Sequence, residues 1–172
     1  MKAILLILNH VYLFFGATLY CGVLWSLHYF WFPTWSTLNV DNYYDQFIPQ
    51  TDAATKFFTI VVPVMFLAGI VMMVTEWKTR QRWVAILASA CIVAATLVGT
   101  MLSIPVNKIL KTHITDQAVL TDLLQKWMQY NDIRMALLTL MWLTIMYYFI
   151  SKGNLVAVLG GKSGNSAKGA AV

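Results

Sequence analysis

Charge is what this sequence has least of. Charged residues make up 11% of the 172-residue chain and hydrophobic residues 59%, whereas an average soluble domain is about 25% charged. A soluble globule of this length covers its surface with polar side chains, and too few are present here to do so. The composition therefore excludes a soluble domain and predicts an integral membrane protein.

Cysteine and the common cofactor motifs are also scarce. Cys21 and Cys91 are the only cysteines, and both fall within apolar runs without a Cys-x-x-Cys pair, so neither a disulfide framework nor a thiol redox centre is expected. The sequence contains no P-loop, dinucleotide fingerprint or His-Glu-x-x-His motif, which argues against soluble cofactor enzymes. The net charge of +5 is interpreted as membrane topology and not as nucleic-acid binding.

Four apolar runs are long enough, or nearly so, to cross the roughly 30 Å of bilayer hydrocarbon as helices. They cover about residues 4–31, 57–75, 83–105 and 133–151. Apolar residues also repeat at helical spacing after residue 115, which predicts an amphipathic helical segment on the outer surface leading into the fourth span. We therefore predict an all-α antiparallel four-helix bundle, with 1–159 as one membrane domain and 160–172 as a flexible cytoplasmic tail.

Basic residues are distributed unevenly between the predicted sides of the membrane. Seven of the 12 Lys and Arg residues fall on the side of the chain termini, and six of the seven acids fall on the other side. Since Lys and Arg are retained in the cytoplasm, this distribution predicts that both termini are cytoplasmic. The first run is interpreted as an uncleaved span of a bacterial cytoplasmic-membrane protein, because no small-residue cleavage site follows it.

Polar side chains form two rows near the predicted outer ends of the third and fourth spans. Their spacings, i, i+3, i+7 and i, i+4, i+7, place each row on one helical face. The rows are Thr100, Ser103 and Asn107, and Trp127, Asn131 and Arg134. On antiparallel neighbouring helices they predict one polar pocket at the outer membrane boundary.

Simpler interpretations of the same residues stay open. Arg134 is also typical of a snorkelling anchor at the end of a span, and Asn107 of a cap after Pro105, which should kink or end the third helix. Thr100 and Ser103 are also typical of close helix packing. Trp127 is also typical of an interfacial aromatic belt, and the same interpretation applies to Trp31, Trp35, Trp77 and Trp83.

The three histidines leave a metal site as an alternative. A bis-histidine haem at two levels is excluded because His10 and His28 lack enough partners. A copper or iron site built from His28, His113 and an Asp remains open. The favoured prediction is nevertheless that the protein binds no cofactor. His28 also lies in an aromatic segment with Tyr29 that would suit a pocket for a flat ligand.

The chain resembles the anthrone-oxygenase-like family of small four-span membrane proteins. The resemblance rests on Gly16, Gly22 and Pro33 of the first span, on Thr100 with the Ile104-Pro105-Val106-Asn107 end of the third, and on the row opening the fourth. It covers most of the chain except the tail and residues 40–50. Characterised relatives oxidise polyketide anthrones to anthraquinones with O2 and, as usually described, without an added cofactor.

The resemblance implies an oxygenase or other oxidoreductase acting on a hydrophobic phenolic or quinone-type compound. In that scheme Arg134 stabilises the oxyanion, Asn107 and Asn131 orient the substrate oxygen, and the base is His28 first or Asp132 second. Trp127 and Tyr29 stack on the rings, and Thr100 and Ser103 complete the substrate contacts.

Two other classes of function remain open from the sequence. One is a non-catalytic integral subunit or binding protein that packs against partner helices or a second copy of the chain. The other is a copper, iron or haem protein. The expected partners are membrane lipids and a small hydrophobic substrate.

Overall fold

The computed structural model describes residues 2–152, with side chains from Ile4 onward, so the predicted tail lies outside the described residues. Helix α1 comprises Lys2–Ser26, a π-helical turn Leu27–Trp31 and Phe32–Trp35; α2 is Tyr43–Glu76; α3 comprises Arg82–Val98, a π-helical turn Gly99–Ser103 and Ile104–Leu110; α4 is Gln117–Lys152. The predicted all-α four-helix bundle is confirmed. All four helices are long and apolar enough to cross a membrane, as in an integral multi-pass membrane protein.

Two of the helices extend far beyond the predicted spans. Helix α4 runs unbroken for 36 residues, or roughly 54 Å at 1.5 Å per residue. Helix α2 has 34 residues and begins at Tyr43, well before the predicted start of the second span at about residue 57. Both helices are longer than the roughly 30 Å hydrocarbon layer, so part of each helix extends beyond it.

Side-chain contacts between α1 and α4 establish that the two helices are antiparallel. The Trp142 Nε1–H donates to Thr18 Oγ1 over 2.9 Å, and the Trp25 Nε1–H donates to Thr139 Oγ1 over 3.0 Å. The partner number in α4 falls as the number in α1 rises, as antiparallel packing requires. These contacts satisfy the indole N–H groups at exposed positions, where lipid would offer no acceptor.

The core of the spanning region is packed with small residues. Ala17, Ala85 and Ala95 are fully buried, which lets the helix backbones approach closely. A Cβ placed on Gly16 would lie 2.8 Å from Met65 Cγ. Gly16 therefore admits the buried Met65 side chain between α1 and α2.

A second, aromatic-rich cluster lies at one end of the bundle, and we call it the cap. It comprises Phe32, Trp35, Leu38, Tyr43, Phe47, Ile48, Val106, Leu110, Leu120, Leu123, Leu124 and Trp127. We call the opposite end, where α1 begins and α4 ends, the termini end. Trp35 and Trp127 are only 2% and 5% exposed and meet edge to face at 5.5 Å, so their interpretation as interfacial belt residues was wrong. Trp31, Trp77 and Trp83 are exposed.

Both π-helical turns directly precede a proline near the cap. Pro33 follows the turn in α1, and Pro105 follows the turn in α3. Proline lacks an N–H and its ring crowds the carbonyl four residues earlier, and a widened turn accommodates both effects. Of the two predicted outcomes, a kink or an end, Pro105 does not end α3, because the helix continues to Leu110.

Candidate functional site

A cavity of about 430 Å³ lies between the cap and the core of the spanning region, in the size range of small-molecule sites. Side chains of all four helices line it. All six residues of the two predicted polar rows are among them: Thr100, Ser103, Asn107, Trp127, Asn131 and Arg134. The helical spacing thus placed each row on one face, and packing of α3 against α4 brings the two faces together.

The cavity is open to the bundle surface, and most of its exposed lining residues lie on α2 and α3. Thr55, Thr59 and Pro63 of α2 and Thr100 of α3 line the cavity and are also exposed on the bundle surface. Each of the three threonines donates its hydroxyl to the carbonyl four residues earlier, at 2.7 to 2.9 Å. The walls of this opening therefore present methyl groups with satisfied hydroxyls, which suits the passage of an apolar molecule.

Arg134 lies at the polar side of the cavity, where neutral groups hold its guanidinium. Its Nη1 donates to Asn131 Oδ1 over 2.6 Å, and its Nη2 donates to the Tyr20 hydroxyl. Asn131 is 2% exposed and donates its own Nδ2 to the Trp127 carbonyl over 2.8 Å. The arginine is thus positioned by a fixed amide, unlike a freely snorkelling anchor.

Gly99 provides the surface on which this arginine rests. A Cβ at Gly99 would lie 3.4 Å from both Cζ and Nε of Arg134, so the guanidinium packs directly on the backbone of α3. Gly99 opens the π-helical turn of α3. The widened turn and the absent side chain together make room for a charged group inside the bundle.

Unpartnered buried polar atoms concentrate around the cavity. Among the described residues, six buried side-chain N or O atoms have no hydrogen-bond partner. Five belong to residues that line the cavity: Thr96 Oγ1, Ser103 Oγ, Asn107 Oδ1, Trp127 Nε1 and Arg134 Nε. Each such group costs about 1–3 kcal/mol when left unsatisfied, so their concentration at one cavity points to a ligand that completes the bonds.

The charge around the cavity is also unbalanced. Arg134 is the one charged side chain among the described cavity-lining residues, and no Asp, Glu, His, Lys or Cys is among them. The neighbouring Asp132 pairs with His28, with 2.7 Å between Oδ1 and Nδ1. A cation in a low-dielectric site without a counter-ion favours a bound group with negative charge or strong acceptor character.

His28 and Tyr29 do not line the cavity. His28 and its partner Asp132 have half-exposed side chains, and Tyr29 is exposed and stacked on Trp25 with ring centroids 5.5 Å apart. His113 stacks on Tyr44 at 3.8 Å. The structure does not bring His28, His113 and an acid together, and no group of three metal-ligating side chains occurs within residues 2–152.

Several residues that line the cavity are not among the predicted site residues. Thr96 lies one turn before Thr100 and extends the polar row of α3, so its spacing was a usable signal. The Thr51, Thr55 and Thr59 row of α2 is equally periodic. Tyr20 had no such signal, because a lone tyrosine in an aromatic-rich span does not show which side it faces.

The termini end holds a second buried polar group that the sequence analysis did not single out. Glu76 is 5% exposed and accepts hydrogen bonds from Thr79 over 2.6 Å and from Tyr148 over 2.7 Å. The ammonium of Lys152 lies 3.0 Å from Oε1 of Glu76. Both carboxylate oxygens of Glu76 are therefore satisfied within the chain.

Comparison with known proteins identifies no relative: no protein-family model, no curated protein and no solved structure matches the chain.

Proposed function

We propose that this protein binds a flat, hydrophobic phenolic or quinone-type molecule in the cavity and oxidises it with O2. The observation that carries the proposal is the cavity itself, where no described residue gives Arg134 a counter-ion and five lining residues hold unpartnered polar atoms. Phe58 and Trp35 also line the cavity, so the polar groups share it with apolar, aromatic side chains. Such a site suits an aromatic ring system that carries an oxyanion or carbonyl oxygen.

The chemistry follows from the resemblance to anthrone oxygenases. An anthrone loses a proton to become an electron-rich enolate, which reduces O2 and forms a carbon–oxygen bond as a hydroperoxide. Loss of water then leaves the carbonyl, so one anthrone and one O2 give one anthraquinone and one water. Arg134 would stabilise the enolate oxygen, and Asn107 and Asn131 would orient it.

The test is oxygen uptake by the purified protein in lipid nanodiscs with a hydroxylated anthrone. We expect one O2 consumed per anthrone, at a rate well above that in empty nanodiscs, and a loss of about 100-fold in Arg134→Ala. Arg82→Ala is the matched control, since Arg82 lies over the Trp83 ring far along α3 from the cavity. Uptake no faster than in empty nanodiscs, or unchanged in Arg134→Ala, would overturn the proposed oxidation.

One observation favours a second candidate, a protein that binds the same molecules without changing them. No side chain with an ordinary proton-accepting function lines the cavity among the described residues. A binding protein has no need of a base, whereas an oxygenase must take a proton from its substrate. Tight binding of the anthrone without oxygen uptake would favour this second candidate.

A further inference from the structure

The three buried tyrosines of the described chain use their hydroxyl groups differently. Tyr43 donates to the Leu110 carbonyl over 3.1 Å and accepts from the Ile114 N–H over 2.6 Å. Tyr148 donates to Glu76 over 2.7 Å. Both hydroxyl hydrogens are thus engaged by acceptors within the chain.

Tyr20 is the exception. Its hydroxyl accepts from Arg134 Nη2, and a guanidinium has no acceptor to offer in return. The hydroxyl hydrogen of Tyr20 therefore plays no part in this bond, and none of the described hydrogen bonds gives it an acceptor. Tyr20 is 3% exposed and lines the cavity, so a molecule inside the cavity can supply the missing acceptor.

The ring of Tyr20 is held in place on two sides. It stacks on Phe58 with ring centroids 4.1 Å apart, and Arg134 Cζ lies 5.5 Å from its centroid. Because the ring is fixed, its hydroxyl oxygen is fixed too. A hydroxyl that accepts a bond from a cation is polarised and becomes a stronger donor in turn.

We infer that Tyr20 is a further ligand-contacting residue, which donates its hydroxyl hydrogen to the carbonyl or phenolate oxygen of the bound aromatic molecule. Arg134 donates to the same hydroxyl, so its positive charge would stabilise the ligand oxygen both directly and by polarising the tyrosine hydroxyl. This inference rests on the proposed function, because it supplies a residue for the same cavity. It predicts selectivity for ligands with an acceptor oxygen over hydrocarbons of equal shape.

The test uses two probes of similar shape, 9,10-anthraquinone and anthracene, titrated against the protein in nanodiscs by tryptophan fluorescence. For Tyr20→Phe we expect about tenfold weaker binding of the quinone, the effect of one lost hydrogen bond, and unchanged binding of anthracene. Tyr148→Phe is the matched control and should bind both probes like the wild type, since its hydroxyl bonds Glu76.

The outcomes separate this inference from the proposed function. If the wild type binds the quinone and Arg134→Ala loses it while Tyr20→Phe retains full affinity, the Tyr20 inference is overturned and the ligand site stands. If the wild type binds neither probe, both are overturned.

A second substitution separates the hydroxyl hydrogen from the support that Tyr20 gives Arg134. Replacing Tyr20 by a fluorinated tyrosine keeps the ring and the oxygen but makes the hydroxyl a stronger donor. We expect tighter quinone binding and unchanged anthracene binding. Equal quinone affinity in the fluorinated and wild-type proteins would contradict a hydrogen bond from Tyr20.

Discussion

The two ends of this bundle differ in whether their buried polar groups have hydrogen-bond partners within the described chain. At the termini end, Glu76 meets Thr79, Tyr148 and Lys152, and both of its carboxylate oxygens are satisfied. Near the cap, Arg134 meets only neutral partners in the part of the chain that the structure describes, and its Nε has no partner there. A polar group whose hydrogen bonds are complete within the chain costs little stability, whereas one left incomplete costs stability and fits the ligand site that we propose.

The largest expected effect is a loss of stability when the hydrogen-bonded cluster around Glu76 at the termini end is disrupted. Glu76→Leu leaves the hydroxyl of Tyr148 and the ammonium of Lys152 without their acceptor, so we expect a loss of about 3 kcal/mol in unfolding free energy. Denaturant unfolding in detergent measures it, and quinone affinity should stay within twofold of wild type. Glu76→Gln is the milder control. A large loss of affinity with full stability would show that the two ends are not separate in function.

The next effect tests the surface under Arg134. The branched side chain of Gly99→Val would displace the guanidinium, and we expect quinone binding to weaken about 30-fold, or roughly 2 kcal/mol. Gly99→Ala places its Cβ at 3.4 Å, an ordinary contact, and should cost little. Gly22→Val is the control, since a Cβ at Gly22 meets nothing within 4 Å. Equal affinities in all three variants would exclude Gly99 as the support of Arg134.

A smaller effect sharpens the comparison, because it should move stability and binding in opposite directions. Ser103→Ala removes an unpartnered buried hydroxyl, and we expect about 1 kcal/mol of added stability together with severalfold weaker quinone binding. Ser89 carries the one unpartnered buried atom outside the cavity among the described residues. Ser89→Ala should therefore gain stability with no change in affinity. Lower stability in Ser103→Ala would mean that its hydroxyl already has a partner.

The smallest effect concerns His28. Its pair with Asp132 is half-exposed, so it contributes less than about 1 kcal/mol, and His28→Gln should barely alter unfolding. Because His28 does not line the cavity, quinone affinity should also be unchanged. Oxygen uptake with an anthrone then tests the predicted role of this histidine as a base, since a base acting through a longer path would show a large loss of rate at unchanged affinity.

Periodicity predicted the parts of the site that lie on one helix, and packing decided the rest. The spacing of Thr100, Ser103 and Asn107 fixes their common face wherever α3 lies. That Tyr20 of α1 and Gly99 of α3 meet the same guanidinium depends on how three helices pack. No local pattern encodes that arrangement.

The fold, like the site, was predicted in part from the sequence. Apolar runs located the four spans because lipid demands them, but they did not show where α2 begins. Tyr43, Phe47 and Ile48 already repeat at helical spacing and are buried in the cap. The polar residues among these positions, together with Pro49, obscured the helical spacing in the sequence. The burial of Trp35 and Trp127 was missed for a related reason, since tryptophan suits both an interface and a core.

The exposed threonines of α2 and α3 that line the cavity bear on which ligand concentration determines binding to this protein. If the proposed ligand enters past these threonines from the lipid acyl chains, the bilayer is both its solvent and its reservoir. Occupancy of the cavity then follows the number of ligand molecules per lipid, and adding empty vesicles should dilute the ligand as water dilutes a salt. Two compounds with equal contacts inside the cavity would differ in apparent potency by their partition into the membrane alone.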